Sequence, residues 1–321
     1  MIDKNMNVIT KIDLEAVPAQ TTTKYGLHII SDGLGMPICV PIIIAKGKKT
    51  HPVVGLTAAV HGNELNGIPV IQRLFQEIDP TQLEGTVIGI PVVNVPALHR
   101  KRRRFNDNVD LNHIMPGKAD GNASQIYAYR IVDRIVRHFD YLLDLHTASS
   151  GRVNSYYVRA DMSDPITAKM AALQNAQIVV HNPPSDGTLR GAASALKIPA
   201  ITLEVGDPSK FQKGMIGSGL TGMYNWLYHL NIMKGDIEVP EIPIVYCKSS
   251  YWLFTDCGGI LRVFPRVTNR VKKGDKIAEI QTIFGDLVQA YFAPEDGVVI
   301  GRSVDPISQT GSRILHLGIL K

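Results

Sequence analysis

An α/β fold, with a largely parallel sheet covered by helices on both faces, is predicted by three features of this 321-residue chain. Short, wholly apolar runs alternate with stretches of helical period. The runs end abruptly in polar residues or glycine, and the whole pattern stops near residue 240. Wholly apolar runs suit strands buried on both faces, whereas half-solvated strands would alternate apolar with polar.

In chain order, "GLHIISDGLGMPICVPIIIAK" (26–46) reads as two strands about a Gly-rich turn, a hairpin-like lead-in. "HPVVGLTAAV" (51–60) is a buried-type strand. "LNGIPVIQRLFQEI" (65–78) places Ile68, Ile71, Leu74, Phe75 and Ile78 at helical spacing. "GTVIGIPVVN" (85–94) is a strand, and "ASQIYAYRIVDRIVRHF" (123–139) a helix with its apolar stripe at Ile126, Ile131, Ile135 and Phe139. "DYLLDLHT" (140–147) and "IPAITLEVG" (198–206) are strands, with a helix at "DPITAKMAALQNA" (164–176) between them. Around the proline-punctuated stretch "EVPEIPIV" (238–245) the helical period disappears. The remaining residues form short alternating runs with Gly-Asp and Asp-Gly turns, the texture of a small all-β unit. The chain therefore divides into residues 1–240, with the lead-in at 1–46, and residues 241–321.

Bulk properties narrow the function classes. Hydrophobic residues at 45% and charged residues at 20% describe a globular protein. The net charge of +5 suits anionic substrates as well as nucleic acid. The three cysteines, Cys39, Cys247 and Cys257, form no C-x-x-C pair, which suggests a reducing compartment and gives no disulfide framework. "MIDKNMNVITKIDLEAV" lacks the apolar core of a secretory signal, and no run approaches the roughly 18 apolar residues of a membrane span. A cytoplasmic location without membrane partners is expected.

The chemistry sits at strand ends. His61 and Glu64 in "TAAVHGNELNG" come directly after an apolar strand at its C-terminal edge, where open α/β sheets bind ligands. An isolated H-x-x-E is more often a polar loop with a capping glutamate. A second strand, however, ends in Asp144 and His146, two apart and on one face. Charged residues closing a buried strand are costly without partners. His146 completes a set of two histidines and one carboxylate, which leaves a fourth position open as catalytic zinc requires. Glu204 ends a third apolar strand, where a carboxylate serves either as a general base or in a buried ion pair. The loop "NDNVDLNHIMPG" adds Asp110, Asn112 and His113 after the basic run "RKRRR" (100–104).

The order H-x-x-E, D-L-N-x-x-x-P-G, D-L-H-T and an apolar strand ending in E-x-G resembles the succinylglutamate desuccinylase/aspartoacylase family, amidohydrolases of the zinc carboxypeptidase-like fold. The resemblance spans roughly residues 25–240. It implies one zinc (Zn2+) per chain on His61, Glu64 and His146, with Glu204 as general base. It also implies that Asp110 orients the first zinc histidine, with Asp144 beside the second. Asn112 matches a contact to a substrate carboxylate, and Arg190 a second anion-binding position. One basic residue of the run, best matched by Arg104 among Arg102, Arg103 and Arg104, would polarise the scissile carbonyl. The implied reaction is hydrolysis of an amide in a small, anionic, N-acylated amine. The chain departs from the family pattern at His113, where an arginine is usual. An imidazole cannot reproduce that guanidinium fork, so the identity of the substrate acid is open.

The C-terminal stretch "VKKGDKIAEIQTIFGDLVQAYFAPEDGVV" resembles a lipoyl/biotinyl-like barrel-sandwich. No lysine lies between Lys276 and Lys321, so the expected role is to cover the site mouth or build a homo-oligomer rather than to carry a cofactor. A metallocarboxypeptidase acting on peptides or cell-wall fragments would share every ligand and is the alternative reading. Nucleic-acid binding through "RKRRR" is disfavoured, because the run lacks interleaved stacking aromatics.

Overall fold

The computed structural model describes residues 7–320; the first six residues of the N-terminal stretch that lacks a secretory core lie outside them. The strands are β1 (Asn7–Ile9), β2 (Thr21–Ser31), β3 (Pro37–Lys46), β4 (Val53–Ala58), β5 (Thr86–Ile90) and β6 (Tyr141–His146). They continue with β7 (Arg152–Asn154), β8 (Tyr156–Ala160), β9 (Ile178–His181), β10 (Ala200–Val205), β11 (Val245–Phe254) and β12 (Gly259–Val263). The last are β13 (Arg270–Val271), β14 (Lys276–Gln281), β15 (Leu287–Phe292), β16 (Gly297–Ser303), β17 (Ile307–Ser308) and β18 (Arg313–Leu320). The α-helices are α1 (Gly67–Glu77), α2 (Val95–His99), α3 (Ala123–Arg134), α4 (Pro165–Ala172), α5 (Leu189–Ala195) and α6 (Lys213–His229). Among the described residues no helix is long and apolar enough to cross a membrane.

One 14-stranded sheet dominates, ordered β1-β2-β3-β5-β4-β6-β10-β8-β9-β11-β18-β16-β13, with β7 on β16. Its centre, β5-β4-β6-β10, is parallel, and every residue of β4 and β5 is buried, as their apolar runs require. The flanks are mixed: β3 meets β5, β8 meets β10, and β18 meets β11 antiparallel. The expectation of a largely parallel sheet therefore holds only for the core that carries the site. Alternate strand residues serve opposite faces. Leu142 joins the cluster with Tyr127 and Ile131 of α3 and Leu189 of α5, whereas Leu143 joins Leu74 of α1, Met170 of α4 and Trp226 of α6.

The expected helices and strands occur at their expected places. The long helix α6 has no counterpart among them, because Gly214, Gly217, Gly219 and Gly222 weaken its propensity. Packing explains two of them: a Cβ on Gly219 would press on Val70 at 3.0 Å, and one on Gly222 would collide with Gln174 Oε1. Close approach of α6 to its neighbours outweighs propensity here.

After α6 the elements are all strands, yet the chain does not form a detached unit there. β11 runs parallel to β9, and β18, β16 and β13 extend the main sheet beyond it. A second, four-stranded sheet, β15-β14-β12-β17, shares an apolar core with those strands around Leu261, Ile280, Leu315 and Leu317. The division at residue 240 is thus not a break in the sheet.

Candidate active site

His61 and Glu64 are brought together by a turn rather than a helix. The chain leaves β4, Ala59 takes a positive φ of 51°, and Glu64 N donates to His61 O at 3.1 Å. Gly62 sits inside this turn with its Cα against the Ala97–Leu98 backbone. A Cβ there would overlap the Ala97 carbonyl carbon, so no larger residue fits between the two polar groups. His146 arrives from the neighbouring strand β6, and Glu204 lies directly opposite it in register on β10.

The two imidazoles are arranged alike. His61 Nε2 lies 3.0 Å from Asp110 Oδ1, and His146 Nε2 lies 2.8 Å from Asp144 Oδ2. Each Nδ1 then turns toward Glu64: His61 Nδ1 to Oε1 at 2.9 Å, and His146 Nδ1 to Oε2 at 2.9 Å. The carboxylates fix both rings, as partners of metal-binding histidines do. Asp144 is itself held by Thr57 Oγ1 at 2.6 Å, and Asp110 by Asn112 N at 3.0 Å. The three residues are only 2–4% exposed, and one ligand atom from each lies within 4.8 Å of the others.

One of these atoms tests whether the set suits a metal. His61 Nδ1 is buried without a properly aligned hydrogen bond, despite its short distance to Glu64. With Nε2–H given to Asp110, Nδ1 carries a lone pair that meets only a carboxylate. A cation between two such nitrogens and Glu64 satisfies all three at once, so the donor set fits zinc. Without a cation the electrostatics settle on the protons. Burial alone would raise the Glu64 carboxyl, but His61 and His146 hold it well below the usual carboxylate range. Asp110 is likewise held low against burial by His61 and Arg103. Burial would lower His146, yet Asp144 and Glu64 hold it well above the usual histidine value. A bound dication would take the place of the proton on His146 and, like the imidazolium, keep Glu64 ionised.

The remaining expected residues surround a cavity of about 690 Å³. Glu204 faces it, with Oε2 accepting from Asn154 Nδ2 at 3.2 Å and Oε1 lying 3.2 Å from Arg159 Nη2. Arg159 also donates to Tyr157 Oη at 2.6 Å. Asn112 accepts from Leu189 N at 2.8 Å through Oδ1, which leaves its Nδ2 to donate. His113 lines the cavity from an exposed position. Arg190 is buried and bound to Asn182 through both its carbonyl and its side chain; burial and then Arg159 lower it to about 10.

In the basic run, Arg103 rather than Arg104 reaches the cluster. Arg103 Nη1 lies 2.8 Å from Glu64 Oε1 and its Nε 2.8 Å from Asp110 Oδ2. Arg104 stays exposed at the rim, donating to Asn108 O at 3.3 Å. Further cavity residues escape the sequence reading, among them Arg152, Asn154, Tyr157, Arg159, Trp252 and Arg313. Tyr157 and Arg159 carry a signal, two polar-tipped residues spaced for one face of a strand. Trp252 and Arg313 carry none, since they reach the site only through the pairing of β11 with β18.

Residues 50–230 match the succinylglutamate desuccinylase/aspartoacylase catalytic domain family. The chain is 25% identical over 280 residues to an N-alpha-acetyl-L-2,4-diaminobutyric acid deacetylase of Halomonas elongata, covering 83% of this chain and 81% of that one. It is 26% identical over 170 residues to a succinylglutamate desuccinylase of Pseudomonas paraeruginosa, covering 49% and 51% respectively. Among solved structures, the product-bound ectoine utilization protein EutE (DoeB) from Ruegeria pomeroyi superposes with a TM-score of 0.86 at 20% identity, over 95% of this chain and 98% of that one. A succinylglutamate desuccinylase/aspartoacylase from Rhodobacter sphaeroides gives 0.85 at 20% identity, over 97% and 98%. At such identities the two structures speak for the fold.

Proposed function

Since this chain belongs to the succinylglutamate desuccinylase/aspartoacylase family, we propose that it is a zinc-dependent deacylase that hydrolyses the amide bond of a small N-acyl amino acid. The observation that carries this reading is the pair of imidazoles, each giving Nε2 to a carboxylate and turning Nδ1 to Glu64.

Zinc held by His61, Glu64 and His146 would supply a Lewis acid and a template for the reacting groups. The protein's own groups do the rest. Glu204 takes a proton from the attacking water as the water oxygen bonds to the carbonyl carbon. When the C–N bond breaks, the same carboxyl delivers the proton to the departing nitrogen. Asn154 and Arg159 fix that carboxylate in place. Arg103 takes the role the resemblance gave to Arg104, because it is the member of the run that reaches Glu64 and Asp110. Its guanidinium stabilises negative charge growing on the carbonyl oxygen. Asn112, His113 and Arg190 line the substrate's path, with Arg190 acting largely through Asn182. Three free cysteines support a reducing, cytoplasmic setting.

The test is metal analysis followed by a screen of N-acetyl and N-succinyl amino acids for released amine. About one zinc per chain and amine release are expected. A zinc-loaded protein that leaves N-acyl amino acids intact but trims peptide C-termini would replace this reading with a carboxypeptidase.

A further inference from the structure

The strands at the ends of the two sheets are short, with one exception. β1 and β7 are three residues long, and β13 and β17 two. Edges so short offer little backbone for another strand to join. β15 differs. It ends the four-stranded sheet on the side away from β17, runs six residues from Leu287 to Phe292, and pairs only with β14. Beyond that ladder and a 3.1 Å contact from Gln289 Nε2 to Ala290 O, no hydrogen bond reaches its backbone among the described residues. Its sequence, LVQAYF, contains neither a charged residue nor a proline, which commonly keep natural edges apart. Two register steps interrupt the ladder with β14, but neither puts a charge on the free side.

The surface beside this edge is apolar. In the turn from β14 to β15, Ile283 and Phe284 are 80% and 89% exposed, and Leu287, Val288 and Phe292 are exposed on the strand itself. Single exposed apolar residues are ordinary, but a run of them beside an open edge marks an interaction surface. The neighbouring charges are satisfied within the chain. Glu279 lies 2.7 Å from Lys276 Nζ and 3.2 Å from Arg262 Nη1, and Glu295 accepts from Tyr251 Oη at 2.8 Å. Asp296 accepts from Lys273 N at 2.8 Å. An ionic partner would find nothing here to pair with, whereas an identical strand meets no like charge. The two exposed phenylalanines, at about 150–250 Å² of buried area each, would supply roughly half of the ~800 Å² per partner of a standard interface.

We propose that β15 pairs antiparallel with β15 of a second copy about a twofold axis near Ala290, joining the two four-stranded sheets into one continuous sheet. With Ala290 at the axis, Gln289 stands opposite Tyr291 of the partner subunit and Val288 opposite Phe292 of the partner subunit, all uncharged pairs. The turn carrying Ile283 and Phe284 then reaches past the end of the paired strand. A twofold contact of this kind closes at two subunits and does not run on into a fibre. None of the residues from Ile283 to Phe292 lines the cavity of the candidate active site, so the dimer stands apart from the deacylase reading.

Sedimentation velocity of the full chain over a concentration series tests the pairing. Wild type should run as a dimer that dissociates on dilution. Ala290→Lys sets two lysines face to face at the axis and should raise the dimer Kd on the order of 100-fold. Phe284→Ser, in an exposed turn, should raise it about 10-fold and keeps the test open should the lysine variant fail to fold. Backbone amides of residues 287–292 should exchange more slowly in wild type than in either variant. A wild type that is monomeric at every concentration would overturn the proposal. So would open-ended oligomers, or a dimer that Phe284→Ser and a folded Ala290→Lys both leave intact, which would place the contact on another face. Neither measurement reads hydrolysis, so the fate of the deacylase reading leaves the result unchanged.

Discussion

The metal cluster and the aromatic shelf, Trp252 stacked on His316, share one cavity and are built on opposite terms. Around His61, Glu64 and His146 nearly every polar atom has its partner, drawn from Asp110, Asp144, Thr57 and Arg103. Over Trp252, Arg152 and Arg313 have no side-chain hydrogen bond or ion pair with an acid among the described residues. The first region gathers one ligand atom from each of three buried residues within 4.8 Å, whereas the second gathers two guanidiniums over one indole. A buried charge web tolerates little change, since removing one partner strands another. The shelf can change with little cost to the fold, because its arginines hold nothing else in place. The donor cluster therefore sits in the centre of the sheet, and the aromatic shelf where the late strands join it.

The comparison breaks most sharply at Glu204. Glu204→Gln should keep the fold and the metal yet lower kcat by about 10²-fold or more, because an amide relays no proton. Near-native turnover in a folded, zinc-loaded variant would remove Glu204 from the reaction. Next come the two neighbouring arginines. Arg103→Gln should weaken metal binding or kcat/KM by roughly 10- to 100-fold, as losses behind metal ligands do, while Arg104→Gln should change either by less than about twofold. The reverse ranking would return the assignment to Arg104.

The last effect bears on stability rather than turnover and concerns His316 beneath the shelf. Its folded value of about 3 lies below the ordinary 6.5 or so, so the unfolded chain binds the proton first as pH falls. The stabilisation from keeping it neutral is complete above about pH 6.5 and declines through the window down to 3, by at most about 1.4 kcal/mol per pH unit. His316→Gln should flatten the fall in denaturation midpoint between pH 7 and 5. An unchanged slope would show that another group governs acid sensitivity.

Much of the centre is legible because burial writes itself into sequence. An apolar run ending in His146 or Glu204 is too costly to be accidental, and the glycine between His61 and Asn63 marks the tight turn that brings Glu64 back. The choice between Arg103 and Arg104 is not legible, since adjacent loop residues differ only in which way the backbone turns them. Nor is α6, whose Gly219 and Gly222 matter only once α1 and the turn after α4 press against it. The continuation of the sheet through β11, β18 and β16 is a non-local pairing, and nothing in an alternating run names its partner strand.

The last strand carries a consequence for how the site forms and fails. His146 and Glu204 lie on β6 and β10, and His61 and Glu64 in the turn after β4, so they come together within the parallel centre. Arg313 and Trp252 are positioned only when β18 pairs with β11, which itself must first lie against β9. Local opening of these outer strands would strip the shelf and leave the metal cluster standing. Under mild heat or denaturant the wall of the cavity around Trp252 should then open before the His61–Glu64–His146 cluster comes apart.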